Sequence, residues 1–282
     1  MSKRKEESSK KRDAEEQDSG SDNEDIVNVD FDFFDPRPDI DYHAIRNLLR
    51  QTFDADNVLF DLSALTDLIL SQNTLGSTVK TDGIESDPFA YLTVINANIH
   101  RQNPALKDVL DYLITKTKLK PDFNEKLKAL FADSAKTNTG IVFSERLINM
   151  PTEVVPPMYR MLSDEMKSAV ENGDKYDFDY FVIISKSFTE IASKIDDDED
   201  RPKKKKKGSS KETFYFHAED EIIQHRSEYF ATYKFSKESQ SADSRRTFQD
   251  YGIAPQGQIM LVTRENFEQM IDDMLTMFAV PT

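Results

Sequence analysis

The sequence contains no cysteine and little glycine or histidine. With no cysteine among its 282 residues, the chain can form neither a disulfide nor a cysteine-ligated zinc site, and it has no thiolate nucleophile. Its eight glycines form none of the glycine-rich turns whose backbone N–H groups bind phosphate, so a nucleotide cofactor is not expected. The four histidines show no HExxH or similar spacing, so no metal site is predicted either.

Long apolar runs and an excess of positive charge are also missing. No run approaches the ~20 apolar residues that cross a bilayer, and the charged N-terminal region lacks the apolar segment of a secretory signal. The 52 acidic residues outnumber the 37 Lys and Arg residues, for a net charge of −15. Because phosphate contacts need clustered cations, direct binding to nucleic acid is not expected. These absences predict a soluble, intracellular protein that binds neither membranes nor nucleic acid.

The negative charge is concentrated near the N-terminus. Between Asp13 and Asp41, twelve acidic residues and a single cation, Arg37, give a local charge of −11. A run of like charge stays solvated and commonly serves as an interaction tail, and an acidic one attracts a basic partner. We predict a disordered arm over residues 1–25. A single domain is predicted over 26–282, interrupted by a disordered charged linker at about 195–211.

Two basic clusters precede the acidic run. Short basic motifs in a disordered terminus indicate a nuclear import signal, although a solvated charge run has the same composition. A third basic run, 203–207, lies in the predicted linker, where it also balances the neighbouring acids. The predicted import signal consists of Lys3, Arg4, Lys5, Lys10, Lys11 and Arg12.

Beyond the arm, strand-like and helix-like hydrophobic patterns alternate. Val29, Phe31 and Phe33 alternate with polar residues, which predicts a half-buried strand. Asp41 is expected to cap the first helix, and Pro104 to begin another. The mixture predicts an α+β fold with a central mixed, mostly antiparallel sheet flanked by helices. Predicted strands are 26–34, 75–81, 89–96, 140–143, 178–188, 213–217, 229–235 and 258–263; predicted helices are 41–53, 61–71, 104–114, 122–132, 158–170, 219–226 and 265–278.

Acidic residues in and near the first strand, and in the turn before 89–96, are the candidates for partner binding. Paired carboxylates can also perform acid–base catalysis. Asp-Gly and Asp-Pro are favourable turn dipeptides, however, so a structural role is favoured over catalysis for the acids of that turn. The predicted partner-binding residues are Asp30, Asp32, Asp35, Glu85 and Asp87.

Two further patterns have competing interpretations. His217 and His225 flank a predicted helix and could pair, but ordinary surface or capping roles are favoured for both. Leu106, Leu110 and Leu113 have the spacing of a nuclear export signal, which is also the spacing of a buried helix face. Core packing is the favoured interpretation of the three leucines.

Six segments of the sequence are distinctive when taken together: 29–36 (VDFDFFDP), 41–53, 76–82 (GSTVKTD), 85–96 (ESDPFAYLTVIN), 147–151 (LINMP) and 156–159 (PPMY). These segments resemble the BCCIP family of eukaryotic nuclear proteins, which includes the fungal Bcp proteins. The resemblance runs from about residue 27 to the C-terminus.

The resemblance implies a fold similar to GCN-five-related acetyltransferases, used as a binding scaffold without catalysis or cofactor. It further implies a nuclear protein, shuttling to the cytoplasm, that chaperones a basic large-subunit ribosomal protein of the L14 type. It also implies a role in ribosome biogenesis and in nuclear export of cargo, with nuclear transport receptors and a cell-cycle or repair protein among the partners. A separate possibility is a shuttle adaptor that binds a lipid kinase or a cell-cycle protein without chaperoning. The alternative is an acetyltransferase-like enzyme with an atypical cofactor turn. Gln256-Gly257 is the nearest match to the Gln/Arg-x-x-Gly-x-Gly/Ala turn of such enzymes, and it lacks the second glycine.

Overall fold

The computed structural model describes residues 30–72, 75–190, 213–236 and 252–279. The chain divides into two units, Met1–Asp30 and Phe31–Thr282. The predicted arm (1–25), the predicted linker (195–211) and all six residues of the predicted import signal lie outside the described residues. In the described part of the chain, no helix is both long enough and apolar enough to cross a membrane.

In the described residues, eight strands form one sheet. Its order is β1-β2-β3-β4-β5-β8-β7, and the short β6 pairs with β5. Among these strands only β4 and β5 are parallel, whereas the other pairs are antiparallel, so the predicted mixed, mostly antiparallel sheet is confirmed. The strands are β1 (Asp32–Phe34), β2 (Ser77–Lys80), β3 (Ala90–Asn96), β4 (Thr139–Arg146), β5 (Tyr180–Glu190), β6 (Thr213–Tyr215), β7 (Tyr229–Tyr233) and β8 (Ile253–Thr263).

Helices cover both faces of the sheet. Alternate residues of β5 show this directly, since Val182 and Ile184 join one hydrophobic core and Phe181 and Ile183 join the other. The first core packs under α1, α2, α4 and α5, and the second under α6, α7 and α8. The helices are α1 (Pro38–Phe53), α2 (Leu62–Leu70), α3 (Ala97–His100), α4 (Pro104–Lys116), α5 (Pro121–Phe131), α6 (Val155–Glu171), α7 (Glu219–Arg226) and α8 (Arg264–Met277), with 3-10 turns at Asp54–Leu59 and Thr152–Val154.

The first helix begins earlier than predicted. Pro38 occupies its first turn, where the missing N–H of proline costs no helical hydrogen bond. Asp41 is therefore not the N-cap residue but a buried residue inside α1. Its carboxylate accepts a hydrogen bond from the backbone N–H of Arg37 at 2.8 Å. The prediction that Asp41 caps the helix was wrong, although its side chain still satisfies a backbone donor at this end.

Other boundaries follow the sequence patterns closely. Pro104 begins α4, as predicted, and Asn103 caps it by accepting from the N–H of Ala105. Leu106, Leu110 and Leu113 are all buried on α4, which confirms the core interpretation over an exposed export signal. Two strands are longer than predicted, since β8 begins at Ile253 instead of residue 258 and β4 continues to Arg146 instead of ending at residue 143.

Candidate functional site

The predicted partner-binding acids lie at exposed positions. Asp32 lies on the edge strand β1, opposite Lys80 of β2, and Asp35 follows that strand. Glu85 and Asp87 lie in the loop from β2 to β3, where Glu85 pairs with Arg37 at 3.2 Å. We call these four residues, Asp32, Asp35, Glu85 and Asp87, the acidic corner. Asp30 is also exposed and is the last residue of the first unit.

Helix α6 adds a carboxylate that the sequence patterns did not indicate. The side chain of Glu165 accepts a hydrogen bond from the backbone N–H of Gly76 at 2.8 Å. Partial burial raises the pKa of Glu165, the negative charges of Asp35 and Asp164 raise it further, and the hydrogen bond only partly opposes them. Asp35 therefore lies near one carboxylate of α6, that of Glu165, so the negative surface extends beyond the acidic corner.

A buried ion pair fixes the framework of this corner. Asp41 of α1 and Lys80 of β2 are fully buried, and their carboxylate and ammonium groups are 2.6 Å apart. The same ammonium group donates to the backbone carbonyl of Ile84 at 2.6 Å, which holds the loop that carries Glu85. Sheet, helix and loop therefore meet at one lysine.

A second polar cluster lies where the parallel strands β4 and β5 separate. The two strands pair only from Thr139 to Val142 of β4, and β5 pairs with β6 further along. Past the paired region, the carboxylate of Glu145 binds Lys186 Nζ at 2.9 Å and His217 Nε2 at 2.8 Å. Lys186 also donates to the backbone carbonyl of Gln51 at 2.7 Å. We call Glu145, Lys186 and His217 the central triad.

The charges of the central triad reinforce each other. Burial alone would raise the pKa of Glu145, but the positive charge of Lys186 and the hydrogen bond from His217 lower it overall. Burial alone would lower the pKa of His217, but its hydrogen bond to Glu145 and that carboxylate's charge raise it overall. The Nδ1 atom of His217 is buried and has no hydrogen-bond partner among the described residues.

Residues of α7 border the triad. Glu219 accepts two hydrogen bonds from the guanidinium of Arg146, both at 2.9 Å, the bidentate geometry that such pairs favour. Asp220 accepts a hydrogen bond from the hydroxyl of Ser185. Burial raises the pKa of Asp220 to about 7, against the opposing effect of His217. This carboxyl therefore keeps its proton to a higher pH than an exposed aspartate does.

The diverging strands open a cavity of about 500 Å³ next to the triad. The cavity combines the polar triad with apolar residues, a mixture common in ligand sites of this size. At its border, Asp54 has φ 45°, a left-handed conformation that is uncommon for residues other than glycine. The lining residues are Gln51, Asp54, Glu145, Arg146, Leu147, Ile148, Asn149, Lys186, Phe216, His217 and Pro255.

The structure corrects the interpretation of His217 and explains the position of Gly257. His217 is neither a surface nor a capping residue, and its partner is Glu145 rather than His225, which lies exposed on α7. Gly257, the nearest match to a cofactor turn, lies inside β8 and pairs with both Lys186 and Tyr233. A Cβ atom at this glycine would collide with the Tyr233 ring, so packing accounts for it.

Comparisons with known proteins agree on one family. The sequence model of the family described as BCCIP matches residues 26–223. The chain is 46% identical over 260 residues to "Protein BCP1" of Yarrowia lipolytica, covering 90% of this chain and 84% of that protein. It is 42% identical over 259 residues to "Protein bcp1" of Schizosaccharomyces pombe, covering 90% and 92% of the two chains.

A solved structure gives the same result. The crystal structure of BCP1 from Saccharomyces cerevisiae is 30% identical in sequence, with a TM-score of 0.61 over 93% of both chains. The family match, the relatives and the structure all extend over most of the chain. This chain therefore belongs to the BCCIP family.

Proposed function

We propose that this protein is a non-enzymatic nuclear adaptor that chaperones a basic ribosomal protein of the large subunit, of the L14 type. It would support ribosome biogenesis and the nuclear export of cargo. Membership of the BCCIP family supports an adaptor role, because neither the family nor the relatives carry the name of an enzyme. The observation that supports a basic partner is the acidic corner, which lies beside α6.

The charge distribution supports a stoichiometric mechanism. At the acidic corner, Arg37 pairs with Glu85 and with Asp39, so it neutralises only part of the negative charge. Asp32 and Asp35 remain exposed on and beside the edge strand. Complementary charge accelerates the encounter with a basic protein and rejects acidic ones. Covering a basic, RNA-binding surface would prevent aggregation and premature contact with RNA until ribosomal RNA competes for it.

Neutralising the acidic corner should slow capture of the basic partner. We expect the triple variant Asp32→Asn/Asp35→Asn/Asp87→Asn to associate with a purified L14-type ribosomal protein on the order of tenfold more slowly at low salt. Its dependence on salt should also be weaker, because fewer charges are screened. Biolayer interferometry at several ionic strengths measures both quantities.

A matched variant separates position from net charge. Asp108→Asn/Asp122→Asn/Glu125→Gln removes three exposed charges from α4 and α5 instead. We expect near-normal association for this control. An equal loss in both triple variants would show that only total charge matters, and failure of the wild-type protein to bind at low salt would refute the chaperone proposal.

An acetyltransferase-like enzyme is the second candidate, and the separation of the parallel strands β4 and β5 favours it. A single parallel pair inside an otherwise antiparallel sheet, opening into a cavity, also supports our proposal that the fold resembles GCN-five-related acetyltransferases. Fold resemblance alone does not assign chemistry, however.

Acetyl-CoA distinguishes the two candidates. A ligand present at roughly 100 times its Kd stabilises the native state by about 2.7 kcal/mol, which raises Tm by several degrees. The adaptor proposal predicts no shift in Tm with acetyl-CoA, measured by differential scanning fluorimetry. A saturable rise in Tm would favour the enzyme instead.

A further inference from the structure

The charge at the base of the cavity between β4 and β5 depends on the protons of His217 and Asp220. Both oxygens of Glu145 are occupied, one by Lys186 and the other by His217. The neighbouring pair of Arg146 and Glu219 is neutral by itself. Asp220 also acts electrostatically on His217, and burial raises the pKa of Asp220, which favours its neutral form. With His217 protonated and Asp220 neutral, the cluster carries one net positive charge, and a buried charge without a counterion favours an anion.

The central triad also has unused hydrogen-bond donors. A protonated imidazole donates from both nitrogens, yet Nδ1 of His217 has no acceptor in the described part of the chain. The ammonium group of Lys186 has three protons, and two contacts are seen, to Glu145 and to the carbonyl of Gln51. An oxygen ligand next to these groups would complete the hydrogen bonding of a buried cluster.

The mouth of the same cavity is apolar. Ile148 lines it with 69% of its surface exposed, an unusual position for a large aliphatic side chain. Leu147, Phe216 and Pro255 are half-buried around it. The single acidic residue at the border is Asp54, next to Gln51 at the end of α1. A fitting ligand therefore carries its negative charge inward and apolar groups outward.

We propose that this cavity binds a carboxylate carried on an apolar peptide segment of a partner protein. The carboxylate contacts Lys186 and His217, and the flanking apolar side chains pack on Ile148 and Phe216. A volume of about 500 Å³ is within the range that encloses ligands of a few side chains. The proposal is independent of the chaperone function, because a positively charged cavity and the acidic corner select partners of opposite charge.

Histidine resonances provide the test, because the full chain has only four histidines. Imidazole correlation spectra of the full-length protein, labelled with 15N-histidine, are recorded during titration with synthetic peptides, and His217→Gln assigns the signal. The first probe is the peptide acetyl-Gly-Ser-Leu-Phe-Leu with a free C-terminal carboxylate, compared with its C-terminal amide. The second is acetyl-Leu-Phe-Glu-Leu-amide, compared with its Gln counterpart, which separates a C-terminal source of the carboxylate from a side-chain source.

We expect one of the two carboxylate peptides to shift the His217 signal saturably, and its neutral counterpart to bind at least roughly tenfold more weakly, as for a lost charge-assisted hydrogen bond. Ile148→Asp should abolish binding without affecting folding, because this side chain is exposed. His225→Gln, at an exposed histidine of α7, should bind normally. Equal binding of acid and neutral peptides, an identical shift with sodium acetate alone, or no shift at millimolar peptide would each overturn the proposal.

Discussion

Replacing Lys80 by methionine should lower the free energy of unfolding by about 3–5 kcal/mol, the cost of leaving one member of a buried ion pair without its partner. Asp41 is fully buried, and its carboxylate is 2.6 Å from the Lys80 ammonium. Methionine fills similar space but leaves the carboxylate without its counterion. The variant also loses the hydrogen bond to Ile84, so the β2–β3 loop should open more readily. Urea unfolding monitored by circular dichroism measures the loss.

Two further variants isolate the ion pair from the loss of a lysine. Lys107→Met removes a lysine whose ion pair with Asp111 lies on the surface of α4, and its stability should remain near wild type. In the double variant Asp41→Asn/Lys80→Met, no buried charge is left at this site, and Asn can still accept from the N–H of Arg37. It should therefore be more stable than Lys80→Met alone. A Lys80→Met variant as stable as Lys107→Met would refute this account.

Local patterns predict the elements of this fold well where capping and burial agree. Asp61 accepts hydrogen bonds from the N–H groups of Ser63 and Ala64, and the apolar residues of α2 follow with helical spacing. Asp41 shows the limit of that reasoning. An aspartate before an apolar pattern predicts a helix N-cap. The main partner of the Asp41 carboxylate is instead Lys80, 39 residues further along the chain. That pairing depends on tertiary packing, which no local pattern contains.

The two candidate sites differ in the same way. The acidic corner could be predicted because its exposed charges fall in two short acidic stretches of the sequence, Asp32 with Asp35 and Glu85 with Asp87. The central triad could not, because Glu145 and His217 are 72 residues apart and meet only where two parallel strands separate. A short polar stretch after an apolar strand, as at Glu145 and Arg146, predicts that the strand has ended. In the structure it continues β4 into the cavity.

Both surfaces lie toward the same end of the sheet. The register aligns Asp32 with Lys80 across β1 and β2, and Ala90 with Arg146 across β3 and β4. The backbone N–H of Leu147, which lines the cavity, donates to the carbonyl of Phe89 at the end of the β2–β3 loop. Because the acidic corner and the proposed carboxylate cavity lie toward one end of the sheet, the two proposed partners would bind near each other.

The free energy of unfolding should fall as pH rises from 5 to 8, against the usual behaviour of carboxylates. Burial raises the pKa of Asp220 from 3.8 to about 7. Between these values the folded state retains a proton that the unfolded state has released, so raising the pH favours unfolding. At about 1.4 kcal/mol per pKa unit, Asp220 contributes roughly 2–3 kcal/mol of this loss. His217 acts in the same direction above pH 6.5, because its pKa is raised in the folded state.

The titratable groups around Asp220 determine over which pH range the free energy of unfolding is expected to fall. Besides His217, it is surrounded by Glu145, Glu219 and Arg146 and bonded to Ser185. The pKa of Glu145 is lowered from 4.5, so its stabilising contribution is essentially complete by pH 5 and adds little slope above it. Partial burial lowers the pKa of His100, which opposes the trend near pH 6.5. His100 is present in the wild type and in an Asp220 variant alike, so its contribution cancels when the two pH profiles are compared.

Asp220→Asn keeps the shape of the side chain and an acceptor for the Ser185 hydroxyl but removes the titrating group. We expect a flatter profile from pH 5 to 8, measured by urea unfolding, and a variant more stable than wild type at pH 8, where the wild-type carboxyl must ionise while buried. Asp111→Asn, at an exposed carboxyl of α4, should retain the wild-type slope. If Asp220→Asn leaves the slope unchanged, the proton retained below pH 7 belongs to another group, and the charge balance inferred for the β4–β5 cavity is wrong.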